Sequence, residues 1–211
     1  MVSIRSLAIF FFAAGLLAPL IYAQDLATYR DFQFGMSLVS VAKQTGMKQS
    51  EAKILHQRPA VIQELWWTGS LGRSLSRTDP VRDIVFGFYN DKLFKIVITY
   101  DRQRTEGLTN EDMVETISTK YGVAASPIAA IIIFSSSKVY DDSEKVLARW
   151  DDAQYSYSLF RYSYQPNYGM VAFSKPLDSL DPQTQCFANG TRRFEGSLQR
   201  AAVECGDSAA Q

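Results

Sequence analysis

The sequence predicts an α+β fold in which helices pack on one face of antiparallel sheet, built as two tandem helix-plus-three-strand units. Three observations carry the prediction. Two amphipathic stretches, opening at Ser37 and Thr109, begin on side-chain caps and end on glycine. Each is followed by three runs of period-2 apolar alternation, near residues 62, 83 and 93 and near 146, 156 and 169. The clearest two runs are joined by hairpin-turn residues, Asn90-Asp91-Lys92.

Residues 1–23 read as a secretory signal peptide: Arg5, an apolar run over 7–20, then Ile21-Tyr22-Ala23, with cleavage expected after Ala23. Gly15 and Pro19 interrupt the run, which falls short of the roughly 20 apolar residues a membrane span needs. No Cys stands directly after the cleavage region, which argues against a lipid anchor, and the mature chain is expected to be periplasmic or secreted without a membrane span. The expected division is signal peptide 1–23, α+β domain 24–176 with subunits 29–101 and 108–176, and a C-terminal tail 177–211.

Twenty-two basic residues balance 22 acidic ones. A near-neutral chain lacks the electrostatic footprint of a nucleic-acid binder, so no nucleic-acid partner is expected. The 11 Tyr and 13 Phe suit antiparallel strands.

Taken in order, residues up to Thr28 form a flexible lead. Phe32, Phe34 and Met36 alternate as a short strand. Ser37 caps a helix whose face is Leu38, Val41 and Ala42 and which stops at Gly46. A second short helix is expected from near Ser50, carrying Ala52, Ile54 and Leu55 and ending before Pro59. The stretch 62–68 reads as a strand with Trp66 and Trp67 on opposite sides.

Gly and Ser dominate 69–79, a loop in which Arg73 and Arg77, with Arg82 beside it, are a candidate anion-binding set weighed against a plain solvated basic loop. In the hairpin, a three-residue loop pairs Phe88 with Phe94, Phe86 with Ile96 and Ile84 with Ile98. It keeps the apolar set on one face, where a two-residue loop would slip it. Thr109 and Asp112 make a capping box flanked by the staple positions Leu108 and Met113, and Met113, Val114, Ile117 and Tyr121 form the apolar stripe up to Gly122.

Residues 128–134 read as a buried strand, 141–144 as a turn, and three meandering strands follow, with Pro166 in a connection where it costs no ladder bond. In the tail a helix is expected over 192–204, with Phe194, Leu198, Ala201 and Cys205 at helical spacing. Cys186 and Cys205 are the only cysteines, and in an exported chain the expectation is a disulfide closing a loop worth about 3 kcal/mol.

Signatures of catalysis, metal or cofactor binding do not emerge, and no cofactor is expected. His56 is the sole histidine, expected at a helix end and without a motif partner. The pairs Asp141-Asp142 and Asp151-Asp152 read as turn formers, because adjacent carboxylates point apart rather than across a cleft. The best functional clue is aromatic: Tyr155, Tyr157, Tyr162, Tyr164 and Tyr168 offer large, stiff, hydroxyl-bearing area to a partner. Alternation divides them between two faces, so half belong to the core.

The stretch FQFGMSLVSVAKQTG, residues 32–46, resembles the opening of small exported modules similar to the outer-membrane assembly small lipoprotein and to the β-lactamase inhibitor protein. Residues 85–100 and 148–177 further resemble uncharacterised secreted bacterial proteins. The resemblance implies helices on an antiparallel sheet and binding to another macromolecule. This chain lacks the lipoprotein's acylated Cys, and its own cysteines lie only near its end. The functional expectation is a non-enzymatic interaction module whose partner is another envelope protein. The competing reading is a small-ligand-binding protein or hydrolase-like periplasmic enzyme, requiring a concave pocket near His56 or the loop arginines.

Overall fold

The computed structural model describes residues 25–69, 80–126, 134–135, 138–139, 145–162 and 167–180. A small clasp of β1 (Thr28–Tyr29) and β2 (Phe32–Gln33) leads into α1 (Leu38–Thr45), a 3-10 turn at Gln49–Glu51, and strands β3 (Lys53–His56), β4 (Ile62–Thr68), β5 (Val81–Tyr89) and β6 (Lys92–Tyr100). Then come α2 (Asn110–Tyr121), the short pair β7 (Phe134–Ser135) and β8 (Lys138–Val139), the meander β9 (Lys145–Asp151), β10 (Tyr155–Arg161) and β11 (Tyr168–Ser174), and the one-turn helix α3 (Lys175–Asp178).

Seven strands form a single antiparallel sheet in the order β3-β4-β5-β6-β11-β10-β9. The two helix-plus-three-strand units therefore share it. The last strand of each unit meets the other at the centre, where Val97 lies opposite Val171. Both helices cover the same face. Leu38, Val41 and Ala42 of α1 and Met113, Ile117 and Tyr121 of α2 pack on one cluster with the lines Leu65–Phe86–Ile96–Ala172–Tyr157–Trp150 and Trp67–Ile84–Ile98–Met170–Leu159–Ala148, which run across six strands. Burying each such large side chain contributes about 1.5–3 kcal/mol, which is what holds the layers together.

The helix ends follow their sequence signals. Ser37 Oγ accepts from Ser40 N, and Gly46 closes α1 at φ +68, a left-handed conformation that glycine adopts without strain. Thr109 Oγ1 accepts from Asp112 N at 3.1 Å while Asp112 Oδ2 accepts from Thr109 N at 2.7 Å, the reciprocal pair of a capping box. Those bonds hold the Asp112 carboxyl below its ordinary value.

Three expectations are corrected. Asn90 and Asp91, at φ +46 and +64, make a two-residue turn that pairs Tyr89 with Lys92 and Phe88 with Leu93. The predicted pairs Phe86–Ile96 and Ile84–Ile98 form nonetheless, because a bulge at Phe94 restores the register. The turn is also tied down from outside: Asn90 Oδ1 accepts from Val61 N and Asp91 Oδ1 from Leu38 N. The expected helix from Ser50 is a single 3-10 turn followed by a strand, since Ile54 and His56 gain ladder partners on β4 that a short helix ending before Pro59 could not match. Finally, residues 25–28 are not a free lead. Leu26 is 1% exposed, and the Asp25 carboxylate accepts from Ala27 N and Thr28 Oγ1. The signal peptide 1–23, the loop residues 70–79, most of the expected strand 128–134, Pro166 and the tail helix 192–204 lie outside the described residues.

One outer edge of the sheet is closed and the other short. Ala125 and Arg149 exchange both backbone bonds beside β9, and β3 carries only four residues with Lys53 exposed. Among the described residues no helix is long and apolar enough to cross a membrane.

Candidate functional site

The tyrosines expected to form one interaction surface are dispersed. Tyr157 is 0% exposed: its ring lies 4.5 Å from that of Tyr121, and its hydroxyl donates to the Thr28 carbonyl at 2.9 Å. Tyr168 is buried too, and its hydroxyl donates towards the Leu108 carbonyl and Asn110 Oδ1, bracing the start of α2. Tyr155 stacks on Phe34 at 5.2 Å. These three pack on the helix-covered face, Tyr157 and Tyr168 within its core and Tyr155 partly buried at its margin. Burial dominates their chemistry: it pushes Tyr121 up to about 12 and raises Tyr157 as well, the neighbouring Tyr121 adding to the rise. Tyr162 stands apart on the opposite face, edge-on to Phe160 at 5.0 Å. Tyr164 lies outside the described residues.

The remaining candidates are not brought together either. Arg82 is the extra residue of a bulge at the start of β5, and its guanidinium is 2.6 Å from the Asp83 carboxylate, while Arg73 and Arg77 lie outside the described residues. His56 sits in strand β3 rather than at a helix end, with Nδ1 3.3 Å from the Ala60 carbonyl oxygen. Asp152 is a turn former, its Oδ1 accepting from Gln154 N and Tyr155 N at 2.6 Å each. Asp151 instead faces Lys175 at 3.4 Å and Arg149 at 4.0 Å. Asp141-Asp142, Cys186 and Cys205 lie outside the described residues. Among the described residues no three of His, Cys, Asp and Glu cluster as metal ligands would.

What the tyrosine pattern missed is the second face of the sheet. A separate apolar cluster lies there: Val85, Val97, Phe160 and Val171, with Tyr162 and Phe173 packed against it. The strand pairings set its central line, Trp66–Val85–Val97–Val171–Ser158–Arg149, across six strands from β4 to β9. Trp66, at one end, is 42% exposed. Ser158 Oγ accepts from Arg149 Nε at 3.4 Å at the other. A neighbouring line runs Gly87–Lys95–Phe173–Ser156–Asp151.

Local chemistry explains why this face is dense in spite of its small residues. Gly169 leaves room for the Phe160 ring to lie over the backbone, since a Cβ there would sit 2.3 Å from Phe160 Cζ. The sequence did carry a signal for all this. The residues that separate the core positions, Val85, Val97, Val171 and Phe173, are themselves apolar, and strands apolar on both sides belong to a sheet covered on both faces.

A comparison with protein-family models, with curated proteins and with solved structures finds no match to the chain.

Proposed function

We propose that this chain is an exported, non-enzymatic protein-interaction module of the cell envelope, and that its partner engages the exposed Trp66 at the rim of the second face of the sheet. The observation that carries the reading is Trp66 itself, an exposed tryptophan that ends the line Trp66–Val85–Val97–Val171, whose three valines are buried and hold it in place. Tryptophan at the rim of an apolar surface is the residue type most enriched among those that dominate binding energy. The signal-peptide pattern over residues 1–23 supports export, and the resemblance of residues 32–46 to small envelope modules supports a macromolecular partner.

The test compares what the wild-type chain, Trp66→Ala and His56→Ala retain from an envelope extract, followed by affinity measurement on the retained protein. Trp66→Ala is expected to cost roughly 2 kcal/mol or more, about 30-fold in affinity, with His56→Ala unchanged. Equal retention by Trp66→Ala and wild type would exclude this face, and selective loss in His56→Ala would favour a pocket-based activity instead.

A further inference from the structure

Past Glu64 the outer edge of β4 has no ladder partner among the described residues. β3 pairs with Ile62, Gln63 and Glu64 only, whereas β5 pairs with β4 as far as Thr68. The chain ahead of β3 does not extend that pairing, because it turns on itself: Glu51 N donates to the Lys48 carbonyl and Ala52 N to the Gln49 carbonyl. An antiparallel strand paired on one side alone turns the N–H and C=O of alternate residues outward. Every second residue of Leu65–Thr68 therefore presents a donor and an acceptor to whatever lies beside it. At the opposite edge of the sheet, by contrast, Ala125 is bridged to Arg149. Trp66 stands within the open stretch. Exposure falls off at once towards the inside, from 42% at Trp66 to 8% at its neighbour Val85. The indole Nε1 donates to Glu64 Oε2 at 3.4 Å, which leans the ring along its own strand. Backbone bonding groups and an aromatic platform thus occur together on one edge. Strand addition uses that combination: main-chain bonds hold an extended peptide and pockets for alternate side chains select it.

We infer that the partner segment which engages Trp66 is an extended one, added to the sheet beside Leu65–Thr68 and in line with β3. It carries an aromatic or β-branched side chain next to Trp66, because cross-strand pairs of those types stabilise each other. Charge sets its other end. Lys48 and Lys53 are exposed there, while the Glu51 carboxylate is turned back onto Lys48 N at 2.9 Å, so the end of the segment nearest β3 is acidic. The inference rests on the reading of Trp66 as the contact residue and adds to it the conformation and chemistry of what binds.

Two measurements tell failure of this inference from failure of that reading. In the purified full-length chain without a partner, residue-resolved hydrogen exchange is expected to find alternate amides of residues 65–68 exchanging about 100-fold faster than those of Phe86 and Ile96 at the sheet centre. Protection of all four would mean that the edge is already paired, which overturns strand addition and leaves the Trp66 reading standing. The second measurement places p-benzoylphenylalanine at Lys53 or at Thr68 of the full-length chain, with Trp66 kept, and maps the photo-crosslinks formed in an envelope extract. The two positions lie about 13 Å apart along the edge, a distance spanned by about four residues of extended chain or about nine of helix. Links from both positions to one protein, at sites about four residues apart, are expected, with yields that fall at least tenfold when Trp66→Ala is added. Sites about nine residues apart, or in unconnected segments, overturn the extended segment but not the partner. No link, or links that Trp66→Ala leaves unchanged, overturn both.

Discussion

The two faces of the sheet are built from alternate residues of the same strands, yet they carry different responsibilities. The helix-covered face holds the large aromatic and aliphatic side chains, from Phe86 and Trp150 to Tyr157, and it draws in the N-terminal clasp through the bond from Tyr157 to Thr28. The second face is narrower, made of valines around one phenylalanine, and it ends in an exposed tryptophan on one side and a serine and arginine on the other. Volume and connectivity make the first face the source of the fold. Small, flat side chains make the second a surface that another element can lie on.

The largest effect that would sharpen this contrast is expected from Trp150→Ala. It empties a buried site on the first face and breaks the bond from Trp150 Nε1 to the Gly122 carbonyl that finishes α2. A cost of about 3–5 kcal/mol in urea unfolding is expected. Trp66→Ala, on the second face, should stay within about 0.5 kcal/mol, as exposed substitutions do. Comparable costs for the two tryptophans would break the comparison.

Gly169→Ala comes next. The new Cβ meets the Phe160 ring, and overpacking of this kind costs about 1–3 kcal/mol. In a Phe160→Ala background the same change should cost clearly less, so a double-mutant cycle that is additive would show that the ring does not lie where it is described.

The smallest effects concern polar atoms inside the first face. Tyr157→Phe removes a hydroxyl that is bonded to Thr28, at about 1 kcal/mol. Tyr121→Phe removes a buried hydroxyl that meets no hydrogen-bond partner at bonding distance among the described residues and should be neutral or slightly stabilising. pH separates the pair further. A tyrosine raised from 10.0 to about 12 binds its proton more tightly in the folded chain, so its contribution is whole below pH 10 and lost as pH rises towards 12. The alkaline loss of stability should therefore be shallower in Tyr121→Phe, which a series of unfolding curves across that window would reveal.

The first face was far more legible in the sequence than the second. Ile84, Phe86, Ile96 and Ile98 announced their alternation, and Ser37, Thr109, Asp112 and Gly122 their helix ends, because those signals are local and each residue acts on its neighbours. The hairpin turn was misjudged because two devices reach the same register, a longer loop or a bulge, and the choice depended on Val61 and Leu38, which bind the turn from distant elements. Ile54 and Leu55 read as helix until β4 supplied a strand to pair with. The tyrosines were weighed by residue type, whereas their environment is set by Thr28, Leu108 and Tyr121 far along the chain. On the second face, Val85, Val97 and Val171 stand between core positions of their strands, where an alternation pattern gives them no weight of their own. Tyr157→Ala would remove core rather than surface.

The central pairing of β6 with β11 bears on how the molecule is assembled in time. Within each meander the paired strands follow one another in the chain, but the seam between them joins residues as distant as Tyr100 and Met170, 70 residues apart. Loop-closure entropy makes such contacts slow to form, while hairpins such as β5–β6 form early. The two halves should therefore behave as partners that recognise each other along one strand edge. Until they meet, β6 and β11 present unpaired ladders, and those two strands are where a misassembled or aggregated form of this chain would begin.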